Sequence, residues 1–277
     1  MHQSSFKEEK SVKRKIKVLI LLVFIMILIA LLGDKIAPYD PLEVHYDLSL
    51  QAPSLTHLFG TDKLGRDILS RILCGAKTSF ALTFLMLFLI VIIGVSVGLL
   101  AGLIGGKVEV LINGLINGLL AFPDTIFAIA VVGIVGAGLF HTVFALALIW
   151  WTKYARLTLA LVKQEKEKNY LVVAKLSGVP WYKCIWSYLL PNILSQILVS
   201  AFLDIGNMMI SLAGLSFLGL ASQPPYPEWG AMLYESKQYM QVAPWMMIYP
   251  GLVLFICVLI FNLLAESLRD HFDPKQN

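Results

Sequence analysis

An aspartate within a long apolar stretch is the residue with the clearest capacity for chemistry in this sequence. Asp204 lies in AFLDIGNMMISLAG, where placing a charge against lipid would be costly. On a helix, Asp204, Asn207 or Met208, and Ser211 fall on one face. That face could line a path for a polar solute or make hydrogen bonds to a neighbouring helix. The sequence leaves both interpretations open.

No other pattern assembles an active site. The turn GLIGGKV, at 102–108, has the wrong glycine spacing for a phosphate-binding GxxxxGK[ST] loop and valine where a hydroxyl is needed. The metalloprotease motif HExxH is absent, and GxSxG does not occur in the strand–turn–helix context that a serine hydrolase needs. His45 and His57 share one polar segment, where they could meet a cationic substrate or be ordinary surface residues. The cysteines are too scattered to indicate a disulfide framework or a zinc site: Cys74, Cys184 and Cys257.

The amino-acid composition indicates the class of protein in which these residues lie. Of 277 residues, 58% are hydrophobic and 14% are charged, whereas soluble domains carry roughly 25% charged residues. The sequence therefore predicts an all-α polytopic membrane protein. The basic N-terminal run is expected to anchor the chain on the inner side of the membrane rather than to bind nucleic acid.

Six apolar runs approach or exceed the length of roughly 20 residues that crosses a bilayer. A cleaved signal peptide is the alternative for the first run, but no small-x-small cleavage site follows before Pro38, so a retained anchor is expected. Gly94, Gly98 and Gly102 lie four residues apart, a spacing that lets helix backbones approach closely in lipid. The predicted spans are 16–36, 80–104, 115–137, 142–154 extended towards 161, 193–220 and 244–264.

The distribution of basic residues predicts the orientation of these spans. Sixteen of the 22 lysine and arginine residues fall in segments that share a side with the N-terminus, so both termini are expected in the cytoplasm. The predicted map is a basic N-terminus at 1–15, a first span at 16–36, an extracytoplasmic segment at 37–79, a five-span core at 80–268 and a cytoplasmic C-terminus at 269–277.

A charged, then amphipathic, cytoplasmic loop interrupts the core at 163–191, KQEKEKNYLVVAKLSGVPWYKCIWSYLLP. The pattern predicts a short helix at 170–176, a turn at 177–180 and a second amphipathic run at 181–189. The loop resembles the EAA loop of ABC-importer permeases, in which Leu-Pro follows a glycine by thirteen residues, as Pro191 follows Gly178. The alternative is a generic interfacial helix. Val172 and Val173 stand where the family has a glutamate and its first alanine.

Two further segments resemble the dipeptide, oligopeptide and nickel branch of these permeases. They are FGTDKLGRDILSRILCGAKTS at 59–79 and LAGLSFLGLASQPPYPEWGAML at 212–233. Three stretches look closest to nickel-import permeases: AGLIGGKV at 101–108, LDIGNMMISLAGLSFLGL at 203–220 and YPGLVLFICVLIFNLLAESLRDHFDP at 249–274. Asn207 stands where a nickel permease of this kind can carry histidine.

The resemblance implies a multi-pass permease in the cell membrane that forms half of a translocation path. Its implied partners are a homologous second permease, two cytosolic ATPases that use ATP and Mg²⁺, and an extracytoplasmic binding protein. This chain itself is expected to bind no cofactor or metal and to have no ATPase site. Nickel, free or chelated, is the expected substrate, with di- or oligopeptides as the alternative. An alternative function of a different class is that of a membrane scaffold or receptor without transport activity.

The resemblance also implies roles for particular residues. The residues expected to couple the permease to the ATPase are Tyr170, Ala174, Gly178, Pro180, Leu190 and Pro191. The path candidates are Asp204, Asn207, Met208 and Ser211. The expected contacts with the binding protein are Thr61, Asp62, Gly65, Arg66, Asp67, Pro225, Glu228, Trp229 and Gly230.

Overall fold

The structure is a computed structural model that describes residues 2–221 and 226–272. Within those ranges the backbone forms ten α-helices and no β-strand, in agreement with the predicted fold class. The helices are α1 (His2–Ile36), α2 (Ile68–Ile104), α3 (Gly106–Leu120), α4 (Asp124–Val135), α5 (Leu139–Lys166), α6 (Asn169–Leu176), α7 (Trp181–Cys184), α8 (Leu190–Phe217), α9 (Trp229–Ser236) and α10 (Trp245–Phe272).

Five stretches of helix are long and apolar enough to cross a membrane, and α3 with α4 makes a sixth if that bent pair counts as one span. The continuous span predicted at 115–137 is wrong, because α3 and α4 meet at an angle of 87°. Pro123 explains the break: it lacks an N–H to continue the hydrogen-bond ladder, and it disfavours helical backbone at Phe122. After the break, the Asp124 carboxylate accepts a hydrogen bond from Thr125 N at 2.7 Å.

The chain divides into two compact units. Unit 1 comprises Met1–Leu85, Ile129–Val143 and Phe202–Asn277, and unit 2 comprises Met86–Ala128 and Phe144–Ala201. The helices α2, α4, α5 and α8 each contribute residues to both units.

In unit 1, the first span packs along the last one. Ile16 and Leu19 of α1 are buried against Leu264 of α10, with half-buried aliphatic side chains around them. The polar segment between α1 and α2 is tied to the start of α10, because Trp245 Nε1 donates to the Thr61 carbonyl oxygen at 3.2 Å. The ring of Phe59 also stacks on Tyr249 at a centroid distance of 4.1 Å. The loop is therefore fixed to the spans by side chains that face inwards.

In unit 2, the three glycines spaced four apart confirm the prediction of close helix packing. A Cβ added to Gly94 or Gly98 would lie 2.6 Å or less from backbone atoms of α5, and one added to Gly102 would meet Val162 at 2.7 Å. The neighbour at Gly98 is the Ala155 carbonyl oxygen, at 2.4 Å. Only hydrogen fits on these α carbons, so the two helices meet along their backbones.

We therefore expect Gly98→Val to destabilise the protein by about 1–3 kcal/mol, the usual range for overpacking. The backbone of α5 would have to move, since the carbonyl oxygen in the way cannot rotate aside. Gly118→Ala is the matched control, because nothing lies within 4 Å of a Cβ added there. Thermal unfolding of the purified protein in detergent measures the effect, and equal midpoints for both variants would contradict it.

Candidate functional site

The elbow, which we define as residues 169–184, comprises α6, a turn and α7. Gly178 has φ +75°, the left-handed conformation that glycine adopts without steric cost. Val179 N donates to the Ala174 carbonyl oxygen at 3.1 Å, the six-to-one hydrogen bond of a Schellman cap. This cap ends α6 and reverses the chain into α7, as the Ser-Gly-Val-Pro pattern predicts.

Beyond the elbow the helix continues into the membrane without a break. A π-helical turn, Ile185–Leu189, joins α7 to α8, and Leu190 N donates to the Ile185 carbonyl oxygen. The fifth predicted span, beginning near Ile193, therefore starts too late, because one continuous apolar stretch runs over Trp181–Phe217. Pro191 accounts for the π turn, since it has no N–H to donate and the hydrogen-bond pattern shifts before it.

Tyr170 connects the elbow to two spans. Its hydroxyl donates to the carboxylate of Glu165 near the end of α5 and accepts a hydrogen bond from Asn192 Nδ2, near the start of α8, at 3.1 Å. Desolvation and the hydrogen bond to Glu165 raise the pKa of Tyr170 to about 12. The phenol therefore keeps its proton at physiological pH and remains a donor, so α5, α6 and α8 are joined by a stable polar link.

The other residues predicted to couple the elbow to an ATPase divide between its inside and its outside. Ala174 is buried and Leu190 half-buried, whereas Pro180 and Pro191 are exposed. Around them the elbow presents large apolar side chains, with Leu176 83% and Trp181 75% exposed. Apolar side chains this exposed, gathered on one short element, are typical of a surface that a partner covers.

Four charged side chains form a buried cluster that includes residues of the motif at 59–79. Arg66 donates to Asp62 at 2.7 Å and to Glu235 at 2.9 Å, and Arg71 donates to the same Glu235 oxygen at 3.1 Å. Breaking such a pair leaves an uncompensated buried charge, at a cost of roughly 3–5 kcal/mol. The sequence did not single out Glu235, which lies just beyond the second motif and 164 residues or more from both arginines.

His57 is also buried, in a separate pair with Asp67, so the interpretation of it as an ordinary surface histidine is wrong. Its Nδ1 lies 2.9 Å from Asp67 Oδ1, and the side chain is buried. The other Asp67 oxygen accepts hydrogen bonds from Ser70 N and Oγ, and Ser70 Oγ accepts one from Tyr39 N. The pair thus fastens the loop to the start of α2.

The residues expected to contact a binding protein are, where the structure describes them, in the interior of unit 1 or on its backbone turns. Those that are buried are Thr61, Asp62, Gly65, Arg66, Asp67, Glu228, Trp229 and Gly230. Trp229, for example, donates from Nε1 to the Ile72 carbonyl oxygen at 3.0 Å. Pro225 lies outside the described residues. These side chains hold the two motifs together, so a contact made directly by them would require the unit to open.

Glu228 caps the helix that completes this arrangement. Its carboxylate accepts hydrogen bonds from Gly230 N and Ala231 N, both at 2.8 Å, at the start of α9. Ser79 Oγ of α2 lies 3.4 Å away as a further donor. Burial raises the pKa of Glu228, and the hydrogen bonds at its oxygens partly offset that increase.

The predicted path residues on α8 differ in exposure. Asp204 is 2% exposed and is buried together with Met208 one turn further on. Asn207 is exposed and Ser211, one turn after it, is half-buried. The helix keeps all four on one broad face, with Asp204 and Met208 at its buried edge and Asn207 at its exposed edge.

Comparison with known proteins identifies the family of this chain. Residues 94–277 match the family described as the inner membrane component of binding-protein-dependent transport systems. The chain belongs to this permease family. The permease is 36% identical over 259 residues to the nickel transport system permease protein NikC of Escherichia coli K12, with 94% of both chains covered. It is therefore a permease subunit of an ABC importer, and ATPase activity lies in partner subunits.

The names of two further relatives give other substrates. The permease is 37% identical to the di/tripeptide transport system permease protein DppC of Pseudomonas aeruginosa, with 92% of this chain and 86% of the relative covered. It is 41% identical to the glutathione transport system permease protein GsiD of Escherichia coli O1:K1, with 92% and 84% covered. The resemblance to the nickel and dipeptide branch is confirmed, whereas the substrate is not fixed by it.

Solved structures support the fold of the permease. An inward-facing MetNI methionine ABC transporter matches with a TM-score of 0.60 at 18% identity, covering 73% of this chain and 96% of the other. An amino acid ABC transporter solved with histidines matches with a TM-score of 0.53 at 14% identity, covering 73% and 94%. At these identities the likeness concerns the fold alone.

The raised pKa of Glu228 predicts a pH-dependent stability of the permease. The folded state holds the Glu228 proton to a higher pH than the unfolded state, so this group's contribution decreases as pH rises from the unfolded pKa, about 4.3, towards the raised folded value. The difference in melting temperature between Glu228→Gln and the natural protein should therefore be more favourable to the variant at pH 8 than at pH 5.

Glu228→Ala provides the contrast. It removes the cap at both pH values and should cost about 1–2 kcal/mol. Melting curves of the two variants at pH 5 and pH 8 test the assignment, which is wrong if the difference between Glu228→Gln and the natural protein does not change with pH.

Proposed function

We propose that the permease forms half of a translocation path for nickel carried as a small chelate. The observation that carries the proposal is the neutral polar pair on α8, Asn207 exposed and Ser211 half-buried, among exposed apolar side chains such as Ile210. The near-complete coverage of both chains in the alignment with the nickel permease supports this choice.

The chemistry of the polar pair favours a chelate over a bare ion. Nickel binds most readily to imidazole and other nitrogen donors, and Asn207 offers an amide where a nickel permease of this kind can carry histidine. An amide and a hydroxyl instead exchange hydrogen bonds with the water or ligand shell of a complex, so a pre-formed chelate would pass without being stripped. Asp204, buried beside Met208, then supports the helix from inside unit 1.

Cells that hold the complete importer test the substrate. Deletion of this gene should abolish uptake of radiolabelled nickel supplied with a small chelator, and the restored gene should return it. Asn207→Leu should lower uptake several-fold while Asn207→Gln retains most of it, because only the second side chain keeps the amide. Western blots of the assembled complex serve as the control for expression.

Import of short peptides is the second candidate, favoured by the identities of 37% and 41% to the di/tripeptide and glutathione permeases. Uptake of a labelled dipeptide and of glutathione is measured in the same cells. Peptide uptake that depends on the gene, with nickel uptake that does not, would replace the first candidate with the second.

We further propose that the elbow transmits the ATPase cycle to the spans. In the assembly we envisage, a homologous permease completes the path, two cytosolic ATPases use ATP and Mg²⁺, and both termini of this chain are cytoplasmic. The exposed Leu176 and Trp181 would fill a groove on one ATPase. Closure of the ATPases would then move the elbow, and the link through Tyr170 would carry the movement to α5 and α8.

Gly178 provides a test of this coupling. A β-branched residue at φ +75° is strained by about 1–2 kcal/mol, and nothing lies within 4 Å of an added Cβ, so the backbone alone is perturbed. Gly178→Val should assemble but lose most of the ATPase stimulation by the loaded binding protein. Gly178→Asn, which tolerates this conformation, should keep it. Equal stimulation in both variants would refute the coupling role.

For the binding protein, we propose the exposed turn at 54–57 as the contact. Leu55 is 98% exposed at its tip. The turn is held rigid, because Ser54 N donates to the His57 carbonyl oxygen at 2.9 Å and Tyr39 Oη donates to the Thr56 carbonyl oxygen at 2.8 Å. The segment 37–58 carries only acidic charged residues besides its two histidines, so a partner with a basic rim around an apolar pocket would fit it.

Leu55→Asp should weaken binding of the purified binding protein to the complete importer about tenfold or more, as expected for an anchor residue. The substitution leaves the fold intact, since the side chain touches solvent. Tyr46→Asp, 74% exposed on the same segment, is the matched control. Titration in lipid nanodiscs measures both, and an unchanged affinity for Leu55→Asp would exclude the turn as the contact.

A further inference from the structure

Unit 2 contains a large groove that the transport cycle as described does not use. The α2–elbow groove, as we name it, has a volume of 580 Å³, within the size range of small-molecule sites. Nine of its ten lining residues are apolar or cysteine, and the tenth is a lysine. They are Leu100, Leu103, Ile104, Lys166, Leu171, Val179, Trp181, Cys184, Ile185 and Leu189.

The groove lies where three spans end. Leu100, Leu103 and Ile104 form the last turn or so of the span Ile68–Ile104, and Lys166 is the final residue of the span Leu139–Lys166. The groove residues of the elbow, from Trp181 onwards, begin the span Trp181–Phe217. Three helix ends meet at the groove, and a bilayer crossed by all three helices would have its headgroup region near this level.

Lys166 adds a charge that the protein itself does not neutralise. Its ammonium donates to the carbonyl oxygens of Gly102 and Leu103 at 2.9 and 3.2 Å, and one of its three N–H donors remains. Among the described side chains no carboxylate pairs with it, whereas the neighbouring Lys163 and Lys168 pair with Glu109 and Glu165. A half-buried cation with a spare donor at an apolar groove requires an amphipathic anion as its complement.

We infer that the α2–elbow groove binds an anionic phospholipid, with one acyl chain in the apolar groove and one phosphate oxygen accepting a hydrogen bond from Lys166 Nζ. The surrounding bilayer supplies this ligand at the depth where the groove lies, and the basic residues of the segment 163–183 outnumber its acidic ones, which raises the local concentration of anionic lipid.

The position of the lipid gives it a role in coupling. One wall of the groove is the end of α2, and the opposite wall is the elbow, through Leu171, Val179 and Cys184. An acyl chain between them would support the elbow from the membrane side and leave Leu176, which does not line the groove, free for a partner. The lipid should therefore raise ATPase stimulation without altering which substrate is carried.

The complete importer, purified in mild detergent and then placed in nanodiscs, tests the inference. Native mass spectrometry should show retained phosphatidylglycerol in preference to phosphatidylcholine. Lys166→Gln removes the charge, and Cys184→Trp fills the groove. Each should lower the occupancy of phosphatidylglycerol in the groove about tenfold, as expected for the loss of one charge-assisted hydrogen bond or of the space for one acyl chain. Lys166→Arg should retain it.

Lys107→Gln is the matched control, because Lys107 is an exposed lysine just beyond the end of α2 that does not line the groove. Assembly with the partner subunits reports folding for every variant, and the lysine series decides the result if Cys184→Trp does not assemble. Equal retention in all variants, or equal retention of both lipids, overturns the inference. Cross-linking of Cys184 to a segment of a partner subunit would overturn it as well. None of these readouts depends on nickel being the substrate.

Discussion

A bilayer offers no partner to an unpaired backbone N–H or carbonyl, and the structure of this permease is organised by that constraint. The spans are helices throughout, and departures from the α-helical ladder occur next to proline. Pro123 lies between two helices that meet at 87°, and Pro191 follows a single π turn through which the helix continues. In both places the missing N–H explains why the regular pattern changes where it does.

Polar and charged side chains are concentrated in the segments between the spans, and their main task there is structural. One cluster of four buried side chains balances two positive charges with two negative ones: Asp62, Arg66, Arg71 and Glu235. Buried ion pairs stabilise only while every partner is present, so this cluster makes the motif at 59–79 and the helix α9, which begins in the motif at 212–233, mutually dependent. Residues of these motifs that the sequence suggests as a recognition surface are therefore buried inside unit 1.

In unit 2, a few polar groups connect the elbow to the helices around it. The elbow is reversed by one left-handed glycine, and one phenol, Tyr170, joins it to both α5 and α8. Because α5 in turn packs backbone to backbone on α2 at Gly94 and Gly98, the elbow is connected through α5 to α2 as well. The permease needs no catalytic group of its own, since it belongs to a family whose ATPase activity lies in partner subunits.

The sequence by itself determined the helical class, five of the six predicted crossing segments, the close-packing glycines and the reversal at Gly178, because each depends on local composition, on periodicity or on one residue's backbone freedom. Pro123 is present in the sequence, but the run around it is otherwise apolar, so the sequence predicts one continuous span there instead of two helices. Only the tertiary structure decided that Glu235 neutralises both arginines, that His57 is buried, and that Asp204 is buried while the nearby Asn207 is exposed. Those outcomes depend on which helices approach one another over separations of up to 169 residues, and no local pattern records such an approach.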